Sequence, residues 1–434
     1  MASPQLSAPF PSDLRLTRVV HTALLPAVLV AAPAFFLFLI SVTGSKVPAG
    51  AYAGLAAMLL ALTAIVHLAR WRDAAIGKVE IAYVAFIFVL VVATLVARTR
   101  FTEVGQVPQL HGILMLILWT SCLFTIPALL RTRTAIAAAI AVLDLLGVLI
   151  ALTVLAALLG LNFGEVQGSE LGGLTRVFGP FGDSVAFVLA FFLVRALVVR
   201  SLWRIVLFAV TLFATASIGA ALVLLAAVGF LALDWVRRNS IGDLRVRPLY
   251  LLFNLAALVA LGILAGAGLW ARITDSEMFA YSMGLRLGAF QLGVRVVEAE
   301  PLIGAGYNGF SALAGRFQPE SFFDTFSYNY IAQVPNQYLQ TAADAGVLGL
   351  IALIVLLWFA CRTLRAAAVR AAAVRASPLH LEFHAYWAWC LGLVFGNQSA
   401  AWLLPYSLVP VLFFTATGLA IAWLRATRNE SAGA

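Results

Sequence analysis

Long apolar runs separated by short polar turns constrain the fold of this chain more than any other feature. Residues 134–160, for example, contain a single charged side chain, Asp144. A helix needs roughly 20 apolar residues to cross the hydrocarbon core of a bilayer. Over the whole chain 63% of residues are hydrophobic and 11% are charged, whereas a soluble domain has about 45–50% and about 25%. The sequence therefore predicts an all-α, polytopic transmembrane bundle.

The apolar runs divide the chain into about twelve predicted spans and one long loop. The predicted spans cover residues 21–43, 50–69, 80–97, 111–130, 134–160, 184–199, 204–216, 218–235, 248–270, 345–361, 384–403 and 407–424. Three regions follow: nine spans with short loops in 1–270, a loop domain in 271–344, and three further spans with a polar tail in 345–434. Because the long loop combines aromatic residues with apolar periodicity, we expect it to be folded and partly helical.

Lysines and arginines are distributed unevenly between the two sides of the predicted bundle. The side that includes both termini holds 20 of the 28 basic residues. Basic loops are enriched at the cytoplasmic side, so both termini are predicted to be cytoplasmic and the loop 271–344 to lie outside. Contact with anionic membrane lipids explains most of the net charge of +9, and no nucleic-acid partner is needed.

Few side chains inside the predicted spans carry obvious chemistry. Cys122, Cys361 and Cys390 fall in or beside spans, where they are interpreted as small buried hydrophobes without a disulfide or a metal site. Asp144 is the clearest charge within a span. Such a residue either has a function or bonds to a neighbouring helix, and the sequence leaves both alternatives open.

The first outer-side motif is LTRVFGPFGDSVAF, residues 174–187. Its glycines and proline set a tight turn, and Asp183 or Ser184 can cap the following helix. Arg176 is thereby held at the outer membrane surface. It is either an interfacial arginine that reaches toward water, or a guanidinium directed at a phosphate, which its planar fork suits.

The second motif is YSMGLRLGAFQLGVRVVEAEPLIGAGYNGF, residues 281–310. Its dense apolar positions predict a helix at the membrane interface that ends near Pro301. Arg286 and Arg295 are nine residues apart, which places them on opposite faces of a straight helix. Because Arg295 has Glu298 three residues later and Arg286 has no acid at such a spacing, Arg286 is the favoured ligand contact.

The third motif is QVPNQYLQTAADAGVLGL, residues 333–350. Asn336 is suited to cap a helix, and Gln340 lies four residues later on the same face. Tyr338 adds another polar group, and the exposed N–H groups of a helix start attract anions. A capped interfacial helix without a ligand is the simpler alternative for this stretch alone.

Four stretches together resemble the O-antigen ligase and O-antigen polymerase superfamily of integral-membrane glycosyltransferases. They are RVFGPFGD (176–183), TASIGAAL (215–222), RLGAFQLGVRVVEAEPLIGAGYNGF (286–310) and PNQYLQTAADAGVLGL (335–350). Their order and spacing, the predicted span count and the long outer loop all fit this superfamily. The resemblance implies a GT-C-like bundle in a bacterial plasma membrane, with an active site facing the periplasm.

Two positions depart from the family pattern. Ile218 stands where an arginine is usual, and the family's histidine, thought to act on the acceptor hydroxyl in ligases, falls at Pro335. Proline can neither accept a proton nor donate a hydrogen bond, so another residue must supply the base or none is needed. Glu300 is the candidate for that base. The missing histidine disfavours a ligase more than a polymerase.

The resemblance implies sugar transfer from an undecaprenyl-diphosphate-linked glycan, with no cofactor and no metal. Arg176 and Arg286 would stabilise the leaving diphosphate, with Arg295 and Arg316 in reserve. Asn336, Tyr338 and Gln340 would orient the substrate. A polymerase that joins repeat units is the first expectation, and a ligase that transfers glycan to a lipid or surface acceptor is the second. The resemblance also implies partner proteins from a polysaccharide export pathway.

Other classes remain open at the level of sequence. A transporter or flippase would need coupling or substrate groups deep in the spans, where they are scarce, whereas polar groups crowd the outer loops. A non-catalytic relative is the third alternative, because the family's histidine is absent. Loss of polyprenyl diphosphate from a donor distinguishes a transferase from a transporter, which moves its substrate without breaking a bond.

Overall fold

The protein is helical apart from one β-hairpin in the residues that the structure describes. The computed structural model describes residues 26–35, 38, 61, 65, 76–101, 109–161, 167–171, 174–178, 184–215, 217–238, 276–317, 333–374, 379–396, 402–403 and 407–432. The helices are α1 Pro26–Phe35, α2 Lys78–Arg100, α3 Gln109–Thr120, α4 Cys122–Leu129, α5 Arg133–Leu158, α6 Ser184–Val199, α7 Leu202–Thr215, α8 Ile218–Arg238, α9 Ser276–Ala299, α10 Phe310–Phe317, α11 Gln337–Ala373, α12 Leu379–Gly396 and α13 Leu408–Ala432. The strands are β1 Gln167–Leu171 and β2 Leu174–Phe178.

Within these residues, five stretches are long and apolar enough to cross a membrane. They are Lys78–Arg100, Gln109–Leu129, Arg133–Leu158, Gln337–Ala373 and Leu408–Arg428. Four shorter apolar helices accompany them. The chain is thus an integral membrane protein, as predicted, whereas the number of twelve spans stays a prediction. The spans predicted at 50–69 and 248–270 fall almost wholly outside the described residues.

The hairpin is the element that the prediction missed, because the sequence analysis predicted only a loop with a tight turn between the spans 134–160 and 184–199. The two strands pair antiparallel, with Ser169 opposite Arg176 and Leu171 opposite Leu174. They pack against α5 and α7. A signal was present in the sequence, since Gly172-Gly173 separates the two runs and such a pair is typical of a tight hairpin turn. Strands this short and polar lack the apolar alternation on which the prediction depended.

Helices α12 and α13 form the centre of the bundle. Helix α12 contacts α6, α8 and α11, and α13 contacts α4, α6 and α11. The Trp389 indole donates a hydrogen bond to the Phe187 carbonyl at 3.3 Å, and Tyr386 stacks on Phe191. These two contacts show that α6 and α12 are antiparallel. Trp423 of α13 is also fully buried, so aromatic rings dominate the central packing.

Four charged residues form a network that links four helices, here called the buried ion network: Asp144 of α5, Arg195 of α6, Arg204 of α7 and Glu382 of α12. Arg195 pairs with both acids, and Arg204 Nη1 lies 2.8 Å from Asp144 Oδ2. The side chains of Arg195 and Glu382 are 6% and 10% exposed. Two cations in this network balance two anions. Asp144 is bonded to neighbouring helices, which is one of the two alternatives that the sequence left open.

The three cysteines are free thiols. Cys122 and Cys390 are buried and Cys361 is half-buried, in agreement with their prediction as mainly buried small side chains. The sulfurs of Cys361 on α11 and Cys390 on α12 are 3.2 Å apart. This contact shows how closely the two helices approach each other at mid-length.

Candidate active site

Helix α11 is divided by a sharp kink into a short arm, residues 337–344, and a long arm, residues 347–373. Ala345 and Gly346 have non-helical dihedrals, and Gly346 has a φ of 63°. A Cβ placed on Gly349 would lie 3.5 Å from the Thr341 carbonyl oxygen. Residues eight apart in a straight helix are separated by about 12 Å along its axis. The short arm therefore folds back against the start of the long arm.

The glycine-rich loop after α9 lies inside this kink. Val347 N–H donates to the Pro301 carbonyl, and Ala305 N–H donates to the Ala343 carbonyl, both at 2.8 Å. A side chain at Gly346 would collide with the Leu302 carbonyl carbon, and one at Gly304 with the backbone of residues 343–345. The glycines of the second and third motifs are therefore needed for the close approach of two backbones. The two motifs form one structure, here called the kink cluster, residues 300–310 and 334–347.

The amide side chain of Gln337 joins the kink cluster to a further segment. Its Oε1 accepts hydrogen bonds from the backbone N–H groups of Trp402 and Leu403, at 2.7 and 2.8 Å. Its Nε2 donates to Thr341 Oγ1 at 3.0 Å. Gln337 is 4% exposed, so this buried amide holds the stretch before α13 against the start of α11.

Asn336 and Tyr338, two of the predicted substrate-binding residues, also make internal contacts. Asn336 Oδ1 accepts from the N–H groups of Tyr338 and Leu339 at 2.9 and 3.0 Å, which confirms the predicted cap at Asn336. The Tyr338 hydroxyl donates to the Val394 carbonyl at 2.6 Å. Both side chains remain half-buried. Their contact with a substrate stays a prediction.

Gln340 is held between two partners. Its Nε2 donates to Asp344 Oδ2 at 2.9 Å, and its Oε1 accepts from Val334 N–H at 2.6 Å. Gln340, Asp344 and Val334 are all buried. The predicted role of Gln340 in binding a substrate also stays untested, since both ends of its amide are occupied by the protein. Asp344 is not among the site residues that the sequence predicted.

Helix α9 carries the two arginines of the second motif. The helix is continuous over Ser276–Ala299, so Arg286 and Arg295 lie on opposite faces. Arg295 is exposed and donates from Nη1 to the Phe317 carbonyl at 3.0 Å. Arg286 is half-buried, and in the described part of the chain it has neither an ion pair nor a hydrogen bond. It is therefore the arginine of this helix with donors available to a ligand.

Glu300 and Arg316, two further predicted site residues, have partners at the end of α2. Glu300 Oε2 lies 2.9 Å from Arg100 Nη1. The Arg316 guanidinium lies over the Phe101 ring, 5.6 Å from its centroid. Neither contact excludes a ligand, because the carboxylate and the guanidinium retain other hydrogen-bonding atoms. The contacts do show that α2 ends beside the loop and helices of the second motif.

Arg176 lies on β2, whose backbone alone is described. The hairpin contacts α5 and α7, whereas α9 contacts α10 and α11. The convergence of Arg176 and Arg286 on one group stays a prediction.

In chemical terms, this region combines a framework of internally bonded amides with Arg286, whose guanidinium has no bonded partner among the residues that the structure describes. Buried amides that are fully bonded make a rigid support. A guanidinium presents several N–H donors in a planar fork that matches phosphate oxygens. No group of three or more His, Cys, Asp or Glu side chains that could hold a metal ion occurs in the described parts of the chain.

The comparison with protein families identifies the same region. Residues 203–354 match the family model described as O-antigen ligase. The match includes α9, the kink cluster and the start of the long arm, and it confirms the resemblance to the O-antigen ligase and polymerase superfamily. None of the curated proteins matches the chain.

Proposed function

We propose that this protein is a membrane glycosyltransferase that uses an undecaprenyl-diphosphate-linked oligosaccharide at the outer face of the bacterial plasma membrane. In this proposal it polymerises repeat units of a surface polysaccharide. The observation that carries the proposal is the position of Arg286. It is half-buried, has no partner among the described residues, and lies within the stretch that matches the O-antigen ligase family.

The proposed reaction depends on stabilising the leaving group. The acceptor hydroxyl attacks the anomeric carbon with inversion, the glycosidic C–O bond to the diphosphate breaks, and negative charge grows on that diphosphate. Arg286 and Arg176 would bind its oxygens, and the loss of one such group costs roughly 3–4 kcal/mol of transition-state stabilisation. Arg295 and Arg316 are the reserve cations. Neither a cofactor nor a metal is required for this chemistry.

The remaining site residues have supporting roles in the proposal. Glu300 is the candidate base that removes the proton of the acceptor hydroxyl, in place of the histidine that is absent at position 335. Its pairing with Arg100 holds it at the end of α9. Asn336, Tyr338 and Gln340 would shape the sugar subsite. Because their described contacts are internal, we assign them mainly to its rigidity.

The test is an assay of purified protein with a lipid-linked oligosaccharide donor. We expect release of undecaprenyl diphosphate and a ladder of longer lipid-linked products. Arg286→Ala should lower the rate by roughly 100-fold to 1000-fold. Arg295→Ala is the matched control on the opposite face of α9, and it should lower the rate far less. Full activity of Arg286→Ala, or transport of the donor without cleavage, would remove the proposal.

A ligase is the second candidate, because the matching family model is described by that activity. A ligase transfers the glycan to a different lipid or surface acceptor. The same assay separates the two activities. Products that lengthen with the donor alone indicate a polymerase, whereas release of the polyprenyl diphosphate only after addition of a lipid A-core acceptor indicates a ligase.

A further inference from the structure

Asp344 is a buried carboxylate without a cationic partner in the described part of the chain. The residue is 4% exposed. Its Oδ2 accepts a hydrogen bond from Gln340, and its Oδ1 has no hydrogen-bond partner. The backbone amides of Asn308 and Phe310 lie near the carboxylate and offset part of its charge. Burying a carboxylate with so few partners costs folding free energy, which indicates that Asp344 has a specific role.

The contact with Gln340 supplies such a role. In its ionised form the carboxylate accepts hydrogen bonds and donates none, so that form fixes the amide with its NH₂ group toward Asp344. The amide oxygen is then directed at Val334 N–H, 2.6 Å away. Without Asp344, the amide could rotate and turn its NH₂ group toward the Val334 N–H, where two donors would face each other. Asp344 thus determines the position of the backbone at Val334.

Val334 in turn contacts the helix that carries Arg286. Its side chain is fully buried in a cluster that includes Ala289, Leu292 and Val296 of α9. The contact is so close that a Cβ on Gly293 would lie 2.9 Å from Val334 Cγ2. Gly293 and Arg286 are seven residues apart, or about two helical turns, and share one face of α9. A shift of Val334 therefore moves the face that presents Arg286.

We propose that Asp344 is a positioning residue for Arg286, acting through Gln340, Val334 and Gly293. The inference rests on the proposed function, in which Arg286 binds the diphosphate. A displacement of a catalytic group by about 1 Å can cost roughly 100-fold in rate. Substitutions along this series of contacts should have the same effect on turnover, and substitutions outside the series should not.

The test measures turnover and KM for the release of undecaprenyl diphosphate by the full-length protein. Asp344→Ala should lower turnover by about tenfold to 100-fold, with KM changed by less than about threefold. Asp344→Asn keeps the size and one acceptor, and should lose less. Gln340→Ala should match Asp344→Ala, and the double variant should be no slower than either single one, because both changes break the same series of contacts.

Two further variants separate positioning from general damage. In an Arg286→Lys background, which is expected to retain some activity, Asp344→Ala should have a smaller effect than in the wild-type protein. Thr341→Val is the matched control. It is also buried on the short arm, and it removes a partner of Gln337 that is not part of this series. It should leave turnover within about threefold of wild type.

The outcomes distinguish this inference from the proposed function. If Arg286→Ala is inactive while Asp344→Ala is fully active, the inference fails and the proposed function stands. Effects of Asp344→Ala and Gln340→Ala that multiply also overturn the inference. If Arg286→Ala is fully active, the proposed function itself fails. If Asp344→Ala does not fold, Asp344→Asn with and without Gln340→Ala provides the same comparison.

Discussion

Two regions of this bundle use arginine in opposite ways. In the buried ion network, Arg195 is 6% exposed and pairs with Asp144 and Glu382. Beside the kink cluster, Arg286 is half-buried and has no partner in the described residues. The two cations of the network balance its two anions, whereas the N–H donors of Arg286 have no acceptor among the described residues. The comparison teaches that pairing, more than burial, separates an arginine that holds helices together from one that can bind a substrate.

The polar groups around the two arginines differ in the same way. The charges of the ion network pair with one another across α5, α6, α7 and α12. In the kink cluster most of the bonded groups are amides and backbone atoms, and the charged side chains are Asp344 and Glu300, the latter paired with Arg100. An anion would therefore meet two protein carboxylates there, the buried Asp344 and the Arg100-paired Glu300.

The largest effect on stability is expected from breaking the ion network. Arg195→Ala leaves two buried carboxylates with one remaining cation, and should cost about 3–5 kcal/mol in stability. Thermal unfolding of the detergent-solubilised protein measures this loss. Arg204→Ala, whose side chain is 26% exposed, should cost less. Equal and small effects of both substitutions would show that the network contributes little to the fold.

The next effect concerns the kink of α11. Gly346→Ala should cost about 2–3 kcal/mol, because the residue has a φ of 63° and its new Cβ would collide with Leu302. Gly229→Ala in α8 is the matched control, since a Cβ there meets nothing within 4 Å. That control should be neutral or slightly stabilising. If both variants unfold at the wild-type temperature, α11 does not have this kink at Gly346.

A smaller effect is expected at Gln337. Gln337→Leu removes the acceptor for the buried N–H groups of Trp402 and Leu403, at a cost of about 1–2 kcal/mol in stability. Thr341→Val removes the hydroxyl that accepts from Gln337 Nε2, leaves one buried N–H donor unpaired instead of two, and should cost less. Thermal unfolding compares the two variants directly. A valine variant that is as unstable as the leucine variant would contradict the role of the side-chain oxygen.

The smallest effect is expected at the exposed ion pair between Arg100 and Glu300. The side chain of Arg100 is 54% exposed, so Arg100→Gln should change stability by less than about 1 kcal/mol. Its turnover also tests whether Glu300 acts as a base. If Glu300→Gln abolishes turnover while Arg100→Gln does not, the carboxylate has a role beyond this pair. If Glu300→Gln turns over as fast as Arg100→Gln, Glu300 is not the base.

The sequence predicted the helices better than their contacts. Apolar length located α2 and α5 near residues 80–97 and 134–160, because a membrane span requires a long hydrophobic run. Glycines marked the second and third motifs, yet their spacing did not show that Pro301 and Val347 are hydrogen-bonded to each other. A glycine indicates that something approaches closely, and the partner depends on the tertiary fold.

The same limit applies to charges and amides. Asp144 was recognised as an unusual intramembrane charge, but its partner Arg195 is on another helix and Glu382 is 187 residues beyond Arg195. Gln340 was expected to face a ligand, whereas its amide oxygen accepts from Val334 N–H of the same motif, and the neighbouring Gln337 bonds to the backbone of Trp402 and Leu403. Local spacing predicts which side chains share a helix face, and only the folded chain decides whether that face is already occupied.

The most direct test of the account measures turnover and thermal unfolding together in Arg286→Ala and Arg195→Ala. We predict that Arg286→Ala releases undecaprenyl diphosphate at least about 100-fold more slowly while it unfolds at the wild-type temperature. Arg195→Ala should unfold at a clearly lower temperature and, where still folded, retain turnover. Arg286→Ala protein that turns over at the wild-type rate would contradict the central claim that Arg286, which has no partner among the described residues, carries the chemistry.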